Sequence, residues 1–180
     1  MKDESELPFR AAAFAARAHK HQLRKDKETP YASHVFRVCL VMRHVFGFDD
    51  PRMLAAALLH DTIEDTNTDF DDIQDEFGPE VANWVAALTK DMRLEEEPRE
   101  VEYCRVLAAA PWQVKACKLA DIYDNLGDCQ SFPIEKRRKT ATRSLRYLKA
   151  LSNPLPDEIR DAFRLTAERL KTLEAEIESR

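Results

Sequence analysis

Asp50-Pro51-Arg52-Met53-Leu54-Ala55-Ala56-Ala57-Leu58-Leu59-His60-Asp61-Thr62-Ile63-Glu64-Asp65 decides how the rest of the chain is read. Asp50 supplies an N-cap and Pro51 the first helical position, so a helix is expected from there to about Asp65. Its middle is apolar all round, and burial of that stretch carries the polar residues after it inward. Residues four apart on a helix lie one above the other, which puts His60 under Glu64 and Asp61 under Asp65. Buried charges cost free energy unless paired or bound to a metal, so stability alone explains this cluster poorly and chemistry is expected there.

The flanking sequence is punctuated for helices. Three glycines, Gly47, Gly78 and Gly127, and nine prolines separate apolar-periodic stretches, and no Asn-Gly or Asp-Gly hairpin signal occurs. An all-α bundle follows. At 180 residues and 44% hydrophobic side chains, a single domain over 1–180 is expected. A first helix is expected over Leu7 to Leu23, with Phe9, Ala12, Ala13, Ala16 and Leu23 as its apolar stripe. His19 and His21 stand about 200° apart on it, which suits edge or solvated histidines rather than two ligands of one metal. The basic run Arg24-Lys25-Asp26-Lys27 reads as a loop closed by Thr29-Pro30. Beyond it His34, Val38, Val41 and Val45 form an inward stripe ending near Gly47.

Thr68 and Asp71 resemble a capping box for a short helix through Phe77, and Gly78-Pro79 opens another through about Thr89. Ile73, Phe77, Val81, Trp84, Val85 and Leu88 are its expected core face. Glu95-Glu96-Glu97-Pro98 reads as a loop before a helix over Arg99 to Ala109. After Pro111, Val114, Cys117, Asp121 and Asn125 share one helical face, so Asp121 points inward and requires a cation, whether Lys118, an arginine or a metal. The tail from Pro133 to Arg180 reads as two helices broken at Asn153-Pro154-Leu155-Pro156. The seam Ile159, Phe163, Thr166, Leu170, Leu173 and Ile177 of the last helix packs on the domain in this reading, and could also serve a homodimer contact.

Composition excludes several classes. Acidic residues outnumber basic ones by 33 to 28, and a net charge of -5 gives no whole-chain attraction for nucleic acid or anionic membrane. An anionic ligand therefore needs a local basic patch. Cys39, Cys104, Cys117 and Cys129 form no C-x-x-C pair and read as buried thiols of a reducing compartment. The N-terminus, Met1 to Glu6, lacks an apolar signal core, and the apolar run Met53 to Leu59 is too short to cross a bilayer, so a soluble cytoplasmic protein is expected.

His34, His60-Asp61 and Asp121 come from three inward stripes that a bundle can bring to one point. Two imidazoles and two carboxylates suit Mn²⁺, Fe²⁺, Zn²⁺ or Co²⁺, with positions left for water and a phosphate oxygen. Glu64 and Asp65 could then orient the water or move its proton, and phosphoester hydrolysis is the natural reaction class.

In order and spacing, these residues resemble the H…HD…D pattern of the HD-domain metal-dependent phosphohydrolases. Arg24-Lys25-Asp26 with Thr29-Pro30-Tyr31 and His34, then Ala56 to Thr66, Phe77-Gly78, Lys118-Leu119-Ala120-Asp121 and Asn125-Leu126 together resemble the hydrolase domain of the RelA/SpoT alarmone enzymes, especially the small stand-alone hydrolases. The likeness spans roughly Phe9 to Ser131, with a helical extension over about 133–180. It implies an HD-domain helical bundle and Mn²⁺-dependent hydrolysis of guanosine 3′,5′-bis(diphosphate) to GDP and pyrophosphate. It further implies that His34, His60, Asp61 and Asp121 hold the metal and that Glu64 and Asp65 handle the water. Arg24 and Lys25 would contact the guanine and its neighbours, and Asn125 the ribose; Arg143 and Tyr147, one turn apart, are further substrate-binding candidates. Two positions depart from the pattern: Ile122 stands where a base is usual, and Asp124 where histidine or tyrosine is expected. An acid beside a polyphosphate is expected to raise its binding cost. Hydrolysis of another nucleotide, such as a nucleoside monophosphate or NADPH, and a catalytically silent nucleotide-binding module are the alternative readings. Because the chain ends at Arg180, alarmone synthesis is not expected.

Overall fold

A computed structural model describes residues 4–129 and 132–179. The boundary expected at Ser131, like Met1 and Arg180, lies outside the described residues. The chain forms α1 (Leu7–Ala18), α2 (Ala32–Leu40), α3 (Pro51–Leu59), α4 (Thr62–Asp65), α5 (Phe70–Phe77), α6 (Pro79–Leu88), α7 (Glu96–Ala109), α8 (Trp112–Asp128), α9 (Ile134–Leu151) and α10 (Arg160–Glu178). Among the described residues there is no β-strand, only an isolated bridge between Leu23 and Pro30.

Two helices form the axis of the core. Every residue of α3 from Met53 to Leu59 is buried, and so is every residue of α8 from Val114 to Ile122. The stretch of α3, apolar all round, has no solvent face and must be enclosed, and α8 is enclosed with it although Lys115, Lys118 and Asp121 stand in its buried stretch. Accordingly α1, α2, α6 and α8 all pack on α3, while α2, α6, α9 and α10 pack on α8. Asp50 caps α3 as expected, accepting from the backbone N–H groups of Arg52 and Met53 at 2.8 and 3.4 Å. The face from Ile73 to Leu88 is buried as read, and the tail breaks into α9 and α10 where the two prolines stand. Ile159, Thr166, Leu170, Leu173 and Ile177 are buried, so the last seam is used within the chain. No helix of the described residues is long and apolar enough to cross a membrane.

Several local expectations are corrected. Helix α1 ends at Ala18, and its buried column is Leu7, Ala11 and Ala15, continued by His19 at the helix end. Phe9 and Leu23 are 72% and 52% exposed, because a helix this rich in alanine offers several equally apolar stripes and the neighbouring α3 selects one. Val45 also leaves its stripe. A π-helical turn over Val41–Val45 adds a residue to the turn, so Met42 takes the inward place. The capping box before α5 is formed by Asp69 and Asp72, not Thr68 and Asp71. Glu96 and Glu97 are helical rather than loop; they occupy the first turn of α7, where carboxylates suit the helix dipole and Pro98 loses no intrahelical bond. Of the four free cysteines, Cys117 and Cys129 are buried, whereas Cys39 and Cys104 are half-buried.

Candidate metal centre and nucleotide pocket

The helix expected through Asp65 breaks at His60-Asp61, and the break builds the site. His60 Nδ1 lies 2.8 Å from the Ala57 carbonyl, and Thr62 Oγ1 donates to the Leu59 carbonyl at 2.6 Å. These side chains take carbonyls that backbone N–H groups four residues on would otherwise use, which interrupts the ladder between α3 and α4. The expected column of Asp61 under Asp65 survives, the Asp65 N–H donating to the Asp61 carbonyl at 2.9 Å and the Tyr31 hydroxyl lying on both carboxylates, whereas His60 and Glu64, on either side of the break, turn to different neighbours.

A carbonyl only accepts, so His60 Nδ1 carries the proton and Nε2 presents its lone pair. That Nε2 is buried without a hydrogen-bond partner. Opposite it, His34 on α2 sets its Nδ1 2.7 Å from Asp124 Oδ2 and turns Nε2 to the same centre. Asp121 Oδ1 is 3.2 Å from His34 Nε2 and 3.8 Å from His60 Nε2; Asp61 Oδ2 is 3.6 and 3.0 Å from the same two atoms. Ligand atoms of His34, His60 and Asp121 all lie within 4.8 Å of one another. Burial opposes charge on His34, yet hydrogen bonds to Asp121, Asp124 and Asp61 win, and its pKa is raised well above the ordinary histidine value. A centre that favours positive charge this strongly, lined by nitrogen and oxygen donors and an orphaned imidazole nitrogen, fits a divalent cation.

Around that centre the two following carboxylates part company. Glu64 Oε2 accepts the backbone N–H of Lys90 at 2.8 Å. Asp65 Oδ2 lies 3.1 Å from the Tyr31 hydroxyl, which is also 2.6 Å from Asp61 Oδ2. Burial raises the pKa of both Glu64 and Asp65. Asp121 finds Lys118, whose Nζ donates to its Oδ2 at 2.7 Å, and Asn125 Nδ2 donates to its Oδ1 at 2.5 Å.

A cavity of about 280 Å³ opens on these groups and is lined by Arg24, Lys25, Asn125, Arg143 and Tyr147, so every substrate-contact residue expected from sequence reaches it. The basic run is not uniformly solvated. Arg24 is buried, donating to Asp128 at 2.6 Å and to Asn125 Oδ1 at 3.1 Å, while Lys25 stays exposed. Tyr147 has its hydroxyl on Glu100 at 2.6 Å, leaving its ring to the cavity. A larger groove of about 580 Å³ shares Lys25, Thr140 and Arg143 with it.

Three residues depart from their sequence reading or escape it. Asp124 is no acid beside a phosphate; it is 7% exposed, holding His34 Nδ1 and accepting from Arg37 Nε at 2.6 Å. The spacing carries a signal, since Asp124 stands three after Asp121 and Arg37 three after His34, one turn along on helices that pack together. His19, expected at an edge or in solvent, is buried, with Nδ1 2.7 Å from Gln22 Oε1 and its ring stacked on Tyr31 at 4.7 Å. Tyr31 itself stands in the sequence only as part of a motif. Loss of an acid that orients a ligating imidazole typically costs about ten- to hundredfold in affinity. Asp124→Ala is therefore expected to weaken divalent-metal binding roughly ten- to hundredfold, read by titration calorimetry, with Arg37→Met smaller in effect.

The HD domain family profile matches residues 11–156. The chain belongs to the HD-domain family. Within it, the guanosine-3′,5′-bis(diphosphate) 3′-pyrophosphohydrolase MESH1 of Xenopus tropicalis is 42% identical over 129 residues, covering 71% of this chain and 72% of that protein. The MESH1 of Homo sapiens is 40% identical over 130 residues, with 71% and 72% covered. A solved structure of a metazoan ortholog of SpoT, described as hydrolysing ppGpp and acting in starvation responses, superposes with a TM-score of 0.83 at 30% identity, covering 92% of this chain and 94% of that one. The HD-domain bundle expected from the motifs thus stands, and the convergence of α2, the α3–α4 break and α8 is how this HD domain assembles its centre.

Proposed function

We propose that this chain is a metal-dependent phosphohydrolase that converts guanosine 3′,5′-bis(diphosphate) to GDP and pyrophosphate, with Mn²⁺ as the working metal. One observation carries the reading: two imidazoles, their Nδ1 atoms taken by Asp124 and the Ala57 carbonyl, turn Nε2 toward two carboxylates at the wall of a polar cavity. The kinship with MESH1 proteins supports the choice of substrate. His34, His60, Asp61 and Asp121 would hold the cation. When bound, a divalent ion supplies Lewis-acid charge at the reacting phosphate and brings water toward hydroxide near neutral pH.

The protein's own groups do the rest. Arg24 and Lys25 hold the base, and Asn125 hydrogen-bonds the ribose, exchanging its bond from Arg24 for one to the sugar. Arg143 and Tyr147 border the phosphates. Water attacks the phosphorus attached to the ribose 3′ oxygen, the bond between them breaks, one proton leaves the water and one reaches the 3′ oxygen. Glu64 and Asp65, whose pKa values burial raises, are placed to take and give those protons. The domain is a single unit over 1–180 in this proposal, its motif-bearing core followed by α9 and α10.

Purified protein supplied with Mn²⁺ is expected to release pyrophosphate from the alarmone, resolved from phosphate by ion-exchange chromatography. Phosphate release from a nucleoside monophosphate or NADPH with none from the alarmone would replace this substrate by another, and tight nucleotide binding with no turnover would make the chain a binding module.

A further inference from the structure

Lys90 has no part in the reaction as described, yet it lines the same cavity. The arrangement begins on α8. Lys118, Asp121 and Asn125 are spaced by three and four, so they share one face and span about 10 Å along the axis. Asn125, bonded to Arg24, marks the nucleoside end of that line, and Asp121 the metal centre. Lys118 marks the far end. There its Nζ sits 4.7 Å from the centre of the Tyr147 ring and 5.2 Å from that of Tyr103. Lys90 Nζ lies 5.5 and 5.3 Å from the same two rings.

Two largely buried ammonium groups therefore share one pair of aromatic rings. Each has one carboxylate, Lys118 on Asp121 at 2.7 Å and Lys90 on Glu100 at 3.1 Å. An ammonium has three donors, so donors remain on both. Asp121 also belongs to the metal centre, and Glu100 spends its other oxygen on the Tyr147 hydroxyl. Each ammonium is thus matched by one carboxylate and keeps donors that a phosphate can take in charge-assisted hydrogen bonds. The Lys90 backbone N–H on Glu64 places this wall directly beside a carboxylate that faces the reacting centre.

We infer that Lys90 and Lys118 form the subsite for the distal phosphate of the 3′-diphosphate, with Lys90 setting preference for a diphosphate over a monophosphate at that position. The inference rests on the proposed function and adds to it which part of the substrate the lysine wall reads. The bond that breaks is still the one between the 3′ oxygen and its phosphorus; the lysines hold the pyrophosphate that forms, and no proton passes through them.

The decisive variant is Lys90→Met, which retains the stem and the backbone N–H. A charge-assisted contact of this kind is worth roughly ten- to hundredfold. The ratio of kcat/KM for guanosine 3′,5′-bis(diphosphate) to that for guanosine 3′-monophosphate 5′-diphosphate is expected to fall at least tenfold, and Lys90→Arg to recover most of it. An unchanged ratio, as a purely structural tie from Lys90 to Glu100 would give, overturns the inference. Titration of the Mn²⁺-loaded protein with inorganic pyrophosphate and with phosphate keeps the two readings apart. Pyrophosphate binding is expected to weaken at least tenfold in Lys90→Met and phosphate binding to change less. Should the wild type turn over neither nucleotide, the proposed function falls while this titration still decides the subsite. Equal weakening of both anions rejects it.

Discussion

Asp61→Ala is expected to lose both bound metal and turnover, the latter by about a thousandfold or more. The geometry behind this is local. Asp61 Oδ2 lies 3.0 Å from His60 Nε2 and 3.6 Å from His34 Nε2, and the Tyr31 hydroxyl at 2.6 Å fixes where that oxygen points. Alanine leaves Asp121 as the sole carboxylate facing two imidazoles. In the wild type, Mn²⁺ at a hundredfold excess over its Kd should stabilise the fold by about 2.7 kcal/mol through linkage. That rise in Tm should vanish in Asp61→Ala, and elemental analysis should find the protein empty. Because Asp61 is a partly exposed group at a helix break rather than part of the apolar core, the variant should still fold. A variant that keeps stoichiometric metal and turns over would remove Asp61 from the ligand set.

The residues legible in the sequence are those whose burial is dictated by unambiguous apolar periodicity. Met53 to Leu59 admits no solvent face, so the positions of His60 and Asp61 follow from the helix that delivers them. Val114 and Cys117 likewise commit Asp121 to the interior. Legibility ends where periodicity is degenerate or where side chains compete with the backbone. Alanine-rich α1 has several equivalent faces, and only its packing on α3 picks Leu7, Ala11 and Ala15. The break at His60 arises because an imidazole and a threonine hydroxyl capture carbonyls, a competition that a 3.6-residue template does not contain. For Asp124 the motif gives the right neighbourhood and the wrong partner, because a charge three residues from a ligand belongs to the adjoining helix, whose His34 and Arg37 claim it. Lys90 carries no local signal, since its meaning comes from Tyr103, Tyr147 and Glu100, all distant in sequence.

Glu64 and Asp65 are consecutive on α4 and so point about 100° apart, which gives the second large effect. Glu64→Gln is expected to cut kcat by about 10²- to 10⁴-fold, with metal content unchanged and KM little altered. Glutamine keeps the shape of the side chain and an oxygen that can accept the Lys90 N–H, so the loop after α6 should stay in place. What it loses is the capacity to exchange a proton. Glu64 accepts the Lys90 N–H beside the lysine wall, whereas Asp65 turns to Tyr31, over whose ring the Arg24 guanidinium lies at 5.5 Å, and accepts on its backbone carbonyl from Gln22 at 2.5 Å. In an in-line displacement the water enters opposite the leaving 3′ oxygen, so the carboxylate away from the nucleoside is the one placed for the water, and Asp65 is nearer the departing oxygen. Asp65→Asn should therefore cost most with the poor leaving group of the natural substrate and far less with an aryl diphosphate, in which an acidic phenol takes the place of the ribose 3′ oxygen and departs without a proton. Glu64→Gln should be equally damaging with both. If the two variants lose the same fraction of activity on either substrate, the division of proton transfers between these neighbouring acids is wrong, even though both remain in the site.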